Sequence, residues 1–133
     1  MKHITISILA FMALFTSRHS NAQEAFVSNK LQKVWETPEG LNVVESSHYN
    51  AADKIIYVSN IVGMHNIKDG VGYLSKLNDK GQFIVKEWVT GLNAPKGIDC
   101  TSAKLYVTDI DRVVEVDLKS GKILRNTFQN LTK

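Results

Sequence analysis

The sequence predicts an all-β chain of four-stranded antiparallel units, amounting to about two blades of a β-propeller. Three observations carry that expectation. Short runs rich in β-branched and aromatic residues succeed one another from residue 43 onward, parted by Gly, Asn and Asp, with no convincing helical stripe after residue 22. "KIIYVSNI" (54–61) returns as "KLYVTDI" (104–110), with Tyr106 standing 49 positions after Tyr57. "YLSKLNDKGQFIVKEWVTGL" (73–92) parallels "RVVEVDLKSGKILRNTFQNL" (112–131) at an offset of 39 to 40. A repeat of about 40 residues holding four strands has the period of a propeller blade.

Taken in order, residues 1–22 read as a cleavable export signal. Lys2 and His3 precede an apolar run over 4–15, and Ser20-Asn21-Ala22 places small residues where a signal peptidase reads. Twelve residues at about 1.5 Å each fall short of a hydrocarbon core of about 30 Å, so a membrane span is the weaker reading. With no Cys directly after the apolar run, a lipoprotein anchor is not indicated, and the expected location is periplasmic or secreted. Residues 23–30 are expected to form at most a short turn. "LQKVW" (31–35) reads as an isolated outermost strand, of the kind that completes the last blade of a propeller.

The partial propeller spans 23–133, with blade one over about 41–92 and blade two over about 93–131. Strands are expected at 43–49, 54–59, 72–77 and 83–89, then at 97–100, 104–108, 112–118 and 122–128. "NDKG" (78–81) and "LKSG" (118–121) are hairpin turns ending on a Gly that can take positive φ. The inserted loop "VGMHNIKDGV" (62–71) lengthens the first offset from 40 to 49. The short first strand of each unit would line a central channel. The apolar second strands would be buried between neighbouring blades, and the outer strands carry the charges. A closed ring needs about four to eight blades. Two leave apolar faces and strand edges open to self-association. The expectation is therefore an N-terminal portion of a longer propeller or, alternatively, a chain that assembles blades between protomers.

Composition narrows the partners. The full chain has 16 Lys+Arg against 13 Asp+Glu; Lys2 and Arg18 leave with the signal, so the mature chain holds 14 against 13. The remaining lysines are scattered among acids, which disfavours nucleic acid as a partner. Cys100 is the only cysteine, so the chain forms no internal disulfide. Its place in an apolar strand reads as a buried, inert thiol.

"NVVESSHYNAADKIIYVSNIVG" (42–63), "WVTGLNAPKGIDC" (88–100) and "KLYVTDIDRVVEVDLKSGKI" (104–123) resemble the secreted bacterial branch of the regucalcin/gluconolactonase-like six-bladed β-propellers. The resemblance covers about residues 35–128. It implies a divalent metal, calcium or zinc, at one mouth of the central channel, and metal-dependent hydrolysis of a sugar lactone or related ester. Of the family's metal ligands only Glu45 has a match here, and it stands in "ESS" where the family has "EGP". The other ligands would come from later blades, so this chain by itself is expected to hydrolyse nothing. The alternative is a non-catalytic, ligand- or protein-binding propeller of the NHL type.

The remaining polar residues carry weaker signals. Asn60 and Asp109 end the two matching strands, where an Asx side chain bonds backbone amides of the following turn or, less favoured, holds a ligand. Asp99 is a candidate channel residue, the second unit's counterpart to Glu45. Asp111 and Arg112 are expected to pair at the surface. His65 and Asp69 lie in the inserted loop and read as solvated; His48, on an inner strand, has no metal-spaced companion. No phosphate loop, G-x-S-x-G elbow or S-x-x-K motif is present. "NLT" (130–132) fits a glycosylation sequon that a bacterial export route leaves idle.

Overall fold

The computed structural model describes residues 32–128. The export signal, the turn at 23–30, Leu31 and the sequon at 130–132 lie outside the described residues. The described part is all-β without a helix, in two antiparallel sheets of four strands each. The first sheet runs β1 (Val43–Asn50), β2 (Ile55–Ile61), β3 (Gly72–Asn78) and β4 (Phe83–Leu92), paired in that order. The second repeats the plan with β5 (Pro95–Cys100), β6 (Lys104–Asp109), β7 (Arg112–Asp117) and β8 (Ile123–Phe128). All eight expected strands are present. β4 runs three residues longer than expected, and β5 opens two residues earlier, on Pro95, whose missing N–H is tolerated at a strand start.

Residues 32–42 correct one expectation: they form no strand. A strand needs a ladder partner, and the backbone of this segment pairs with no described strand. The segment is nonetheless anchored. Gly81, at φ 74°, leaves room for the Trp35 ring, which an added Cβ would strike. The second sheet repeats the device: Gly121, at φ 76°, admits Trp88, and a Cβ there would lie 2.6 Å from Trp88 Nε1. Trp35 thus stands to the first sheet as Trp88, on β4, stands to the second. Both glycines close the hairpin turns expected at 78–81 and 118–121, with Gly81 N–H donating to the Asn78 carbonyl (3.0 Å) and Gly121 N–H to the Asp117 carbonyl (2.9 Å).

Cross-strand register sets the faces, since directly opposed residues point the same way. In the first sheet His48 opposes Tyr57, Tyr57 opposes Lys76, and Ser59 opposes Leu74. This front face packs on the second sheet, where Tyr57, Leu74 and Val89 join Leu105, Val107, Val114 and Val116 in one buried core. Each of these side chains contributes roughly 1.5–3 kcal/mol through burial. In the second sheet, however, the residues facing the first are the equivalents of the first sheet's back: Val107 corresponds to Val58, and Tyr106, the counterpart of Tyr57, points away. The sheets are stacked front to back rather than face to face. The first sheet's own back buries Val58, Tyr73 and Leu77.

Candidate functional site

The inner strands β1 and β5 lie near each other at the junction of the two sheets. Each carries a register shift: between Val44 and Ser46 on β1, and between Pro95 and Ile98 on β5. Such a bulge adds a residue to one strand and re-aims its side chains. Glu45 is the extra residue on β1. It is exposed and forms no ion pair among the described residues. Beyond the bulges the registers agree: Ser46 and Gly97 take equivalent positions, and so do His48, opposite Tyr57, and Asp99, opposite Tyr106. The backbone bonds agree too, since Ser59 Oγ donates to the Ser46 carbonyl (3.2 Å) and Thr108 Oγ1 to the Gly97 carbonyl (3.5 Å). Asp99 is therefore the counterpart of His48, not of Glu45. The position matching Glu45 belongs to Lys96.

Asn60 and Asp109 are fully buried and hold the chain where it enters each inner strand. Asn60 Oδ1 accepts from the Asn42 N–H (3.1 Å), just ahead of β1, while Nδ2 donates to the Val58 carbonyl (3.2 Å) and Ser75 Oγ (3.0 Å). Asp109 accepts from the Asn93 N–H (3.0 Å to each oxygen) and the Ala94 N–H (2.8 Å), just ahead of β5. Its Oδ2 also takes Arg112 Nε (2.9 Å) and Nη2 (2.7 Å). The structural reading of both Asx residues stands, but the amides they bind belong to the preceding connection, not the following turn. Both side chains are thus engaged in holding the backbone that leads into the inner strands. The expected Asp111–Arg112 pair is also corrected: the buried Asp109 draws Arg112 inward, and Asp111 pairs with Lys68 (2.6 Å) of the inserted loop. His65 and Asp69 in that loop are exposed.

The structure brings together a group that the linear sequence keeps apart. Cys100 Sγ lies 3.1 Å from His48 Nε2, and His48 Nδ1 lies 3.7 Å from Asp99 Oδ1. Beside them is a hollow of about 470 Å³ between residues 48–53 and 100–102. Thiol, imidazole and carboxylate follow one another as in a nucleophile–base–orienter set. The electrostatics run against that use. Burial, and then the negative charges of Asp99 and Asp53, push the Cys100 thiol up, whereas a poised nucleophile needs a depressed pKa. Asp99 is exposed over 85% of its side chain, and 3.7 Å exceeds hydrogen-bond reach. Its Oδ1 instead accepts from the Cys100 N–H (2.9 Å). Cys100 is half-buried, and its contact with His48 ties the two sheets together at their inner edge.

A second hollow, about 540 Å³, opens between the sheets beside Lys76. The Lys76 ammonium sits 3.8 Å from the Trp88 ring centre and 5.5 Å from that of Tyr57. Burial lowers its pKa, and burial with the charge of Asp53 pushes the Tyr57 phenol up to about 12. This cation–π contact lies within the first sheet, and Lys76 Nζ also donates to the Leu118 carbonyl just past β7 (3.5 Å).

Among the described residues no three His, Cys, Asp or Glu side chains converge as a metal site. Calcium takes about six to eight oxygens and catalytic zinc about three protein ligands. Glu45 alone does not meet either demand, so no catalytic step can be derived through a metal held by these residues. Among the described residues, no helix is long and apolar enough to cross a membrane. Models of known protein families, characterised proteins and solved structures all return no match to this chain.

Proposed function

We propose that the two sheets are consecutive blades of an exported, gluconolactonase-like six-bladed β-propeller that hydrolyses a sugar lactone or related ester with a divalent metal, calcium or zinc. The observation that carries this reading is the placement of Glu45, an exposed carboxylate on a bulge of the inner strand of the first of two equivalent sheets. Front-to-back stacking supports it, because only sheets stacked in one sense can continue around a ring. The chain supplies one metal ligand, and the others would come from further sheets. The sequence resemblance adds the substrate class and the periplasmic or secreted location.

The test is lactone hydrolysis by the protein as isolated from the cell envelope, with calcium or zinc supplied. Glu45→Ala is expected to lower the metal-dependent rate by roughly two orders of magnitude or more. The 133-residue chain by itself is expected to show no turnover. An unchanged rate in Glu45→Ala, or no lactone hydrolysis by the cellular protein, overturns the assignment. A second reading, a non-catalytic binding propeller, is favoured by the inserted loop. It is exposed yet pinned by Lys68 to Asp111 and by the Gly70 N–H to Asn93 Oδ1 (3.2 Å), as a preformed contact surface would be.

A further inference from the structure

His48 on β1 and Cys100 at the end of β5 are 52 positions apart in sequence, and the proposed hydrolysis uses neither. The stacking of the two sheets sets Cys100 Sγ 3.1 Å from His48 Nε2, with the imidazole 27% exposed and the thiol half-buried. The surroundings fix the roles within this contact. Burial, with the charges of Asp99 and Asp53, keeps Cys100 as the neutral thiol, so Sγ–H donates and Nε2 accepts. The ring proton then sits on Nδ1, the nitrogen that has the Asp99 carboxylate 3.7 Å away.

We propose that Cys100 and His48 form a site for a zinc ion, which takes the place of the proton they share. The Sγ–H bond breaks and its proton leaves to solvent, the thiolate binds zinc, and Nε2 supplies its lone pair. No electron is transferred. Thiolate and imidazole are the donors of structural zinc sites. Tetrahedral zinc with Zn–S about 2.3 Å and Zn–N about 2.0 Å holds its two donor atoms about 3.5 Å apart. The present 3.1 Å therefore has to open by only about 0.4 Å. The negative charges that make Cys100 a poor nucleophile act in the opposite sense on a dication, whose binding deprotonates the thiol outright. Asp99 stands on the Nδ1 side, where a carboxylate orients a zinc-bound imidazole. The hollow of about 470 Å³ beside the pair, lined also by Asp53 and Thr101, leaves the remaining coordination positions open to water. Both donors come from the two described sheets, so the site needs no further one. It stands three residues along β1 from Glu45, about 10 Å at the strand rise, and is independent of the proposed hydrolysis.

The test is titration of the 133-residue chain with Co(II), a spectroscopic stand-in for zinc, under reducing conditions. Cys100 is the only cysteine, so a thiolate-to-cobalt charge-transfer band in the near ultraviolet reports this site and no other. The band is expected to saturate at one cobalt per chain, with one proton released, and to vanish when Zn(II) displaces the cobalt. Cys100→Ser should abolish it. His48→Gln should weaken binding tenfold or more, and Asp99→Asn, at an exposed position, by roughly tenfold. Unchanged far-ultraviolet circular dichroism and urea midpoint show that each variant is folded; if His48→Gln is not, Asp99→Asn and the proton count decide. No band in large excess of Co(II) overturns the proposal and leaves the contact as a hydrogen bond alone. A band equally strong in His48→Gln, or unmoved by Zn(II), overturns it too.

Discussion

The two sheets solve one problem with different chemistry. Each must hold the incoming chain against the end of its second strand, where the backbone turns into the inner strand and its amides have no ladder partner. The first sheet does so with a neutral amide. Asn60 accepts from one N–H and spends its own two donors on the Val58 carbonyl and Ser75 Oγ. The second sheet uses a carboxylate that accepts from two N–H groups and is neutralised by Arg112, three residues on. What the repeat fixes is an acceptor oxygen at one place in the register. Its charge is set locally: a buried carboxylate is tolerated where a guanidinium reaches it, and an amide is needed where neighbouring carbonyls and hydroxyls want donors.

Breaking the latches should therefore cost unequal amounts. Asp109→Ala strands the part-buried Asn93 and buried Ala94 amides and leaves the mostly buried Arg112 without its anion, so it is expected to cost about 3–5 kcal/mol in urea unfolding. Asn60→Ala strands one amide, and about 2 kcal/mol is expected. Transplanting the charge sharpens the comparison. Asn60→Asp places a carboxylate against the Val58 carbonyl with no cation in the local network, and at neutral pH it should be worse than Asn60→Ala. Burial would raise that carboxyl's pKa above its unfolded value. The added penalty is then absent at low pH, where the group is protonated in both states, and grows as pH rises through the unfolded and folded values. Equal costs for Asp109→Ala and Asn60→Ala would mean that the ion pair adds nothing to the second latch.

The strands were legible because period-two patterning and the repeat reinforce each other, and the Gly-closed turns followed from positive φ at Gly81 and Gly121. The pairing of side chains was less so. Asp99 resembles Glu45 as an inner-strand acid, yet the bulge on each inner strand and the unequal first turns, 51–54 against 101–103, shift the count and put Asp99 level with His48. Sequence proximity points Arg112 to the adjacent Asp111, whereas the burial that draws it to Asp109 is not visible in the sequence. The contact of His48 with Cys100 crosses from one sheet to the other, so it depends on how the sheets stack, which strand patterning leaves open. One signal was available in retrospect: "WETPEGLN" (35–42) echoes "WVTGLN" (88–93), and it marks residues 32–42 as the counterpart of the end of β4.

That echo gives a second way to separate the sheets. Trp88 is fixed on three sides, by Gly121, by the Tyr57 ring at 5.2 Å and by Lys76, whereas Trp35 lies on an unpaired segment and is 44% exposed. Ala at either glycine meets the cost of a left-handed conformation, roughly 1–2 kcal/mol. Gly121→Ala must also displace a ring that cannot yield without disturbing the core, and about 3 kcal/mol in total is expected. In Gly81→Ala the Trp35 ring can swing into solvent, so the cost should stay near the backbone value. Tryptophan fluorescence distinguishes the two: Gly81→Ala should shift the emission to the red with little change in the unfolding midpoint, and Gly121→Ala should lower the midpoint. The reverse order would place the firmer anchor at residues 32–42.

The smallest effect expected lies in the turn joining β6 to β7, for which the first sheet has no equivalent, because its second and third strands are joined by the long loop instead. Ile110 occupies this two-residue turn at φ 55°, where a β-branched side chain crowds its own backbone. The strain is sustained by what flanks it: Asp109 and Arg112 are opposed in the ladder and joined through their side chains. Asn tolerates this conformation far better. Ile110→Asn removes the strain but also removes a half-buried apolar side chain, and the balance is expected to favour the variant by about 0.5–1 kcal/mol. Combined with Asp109→Ala the same substitution should gain less, because a turn freed from its ion pair can relax without help. Full additivity of the two changes would show that the latch and the turn are independent, and that the short connection of the second sheet is not held in place by the charge beside it.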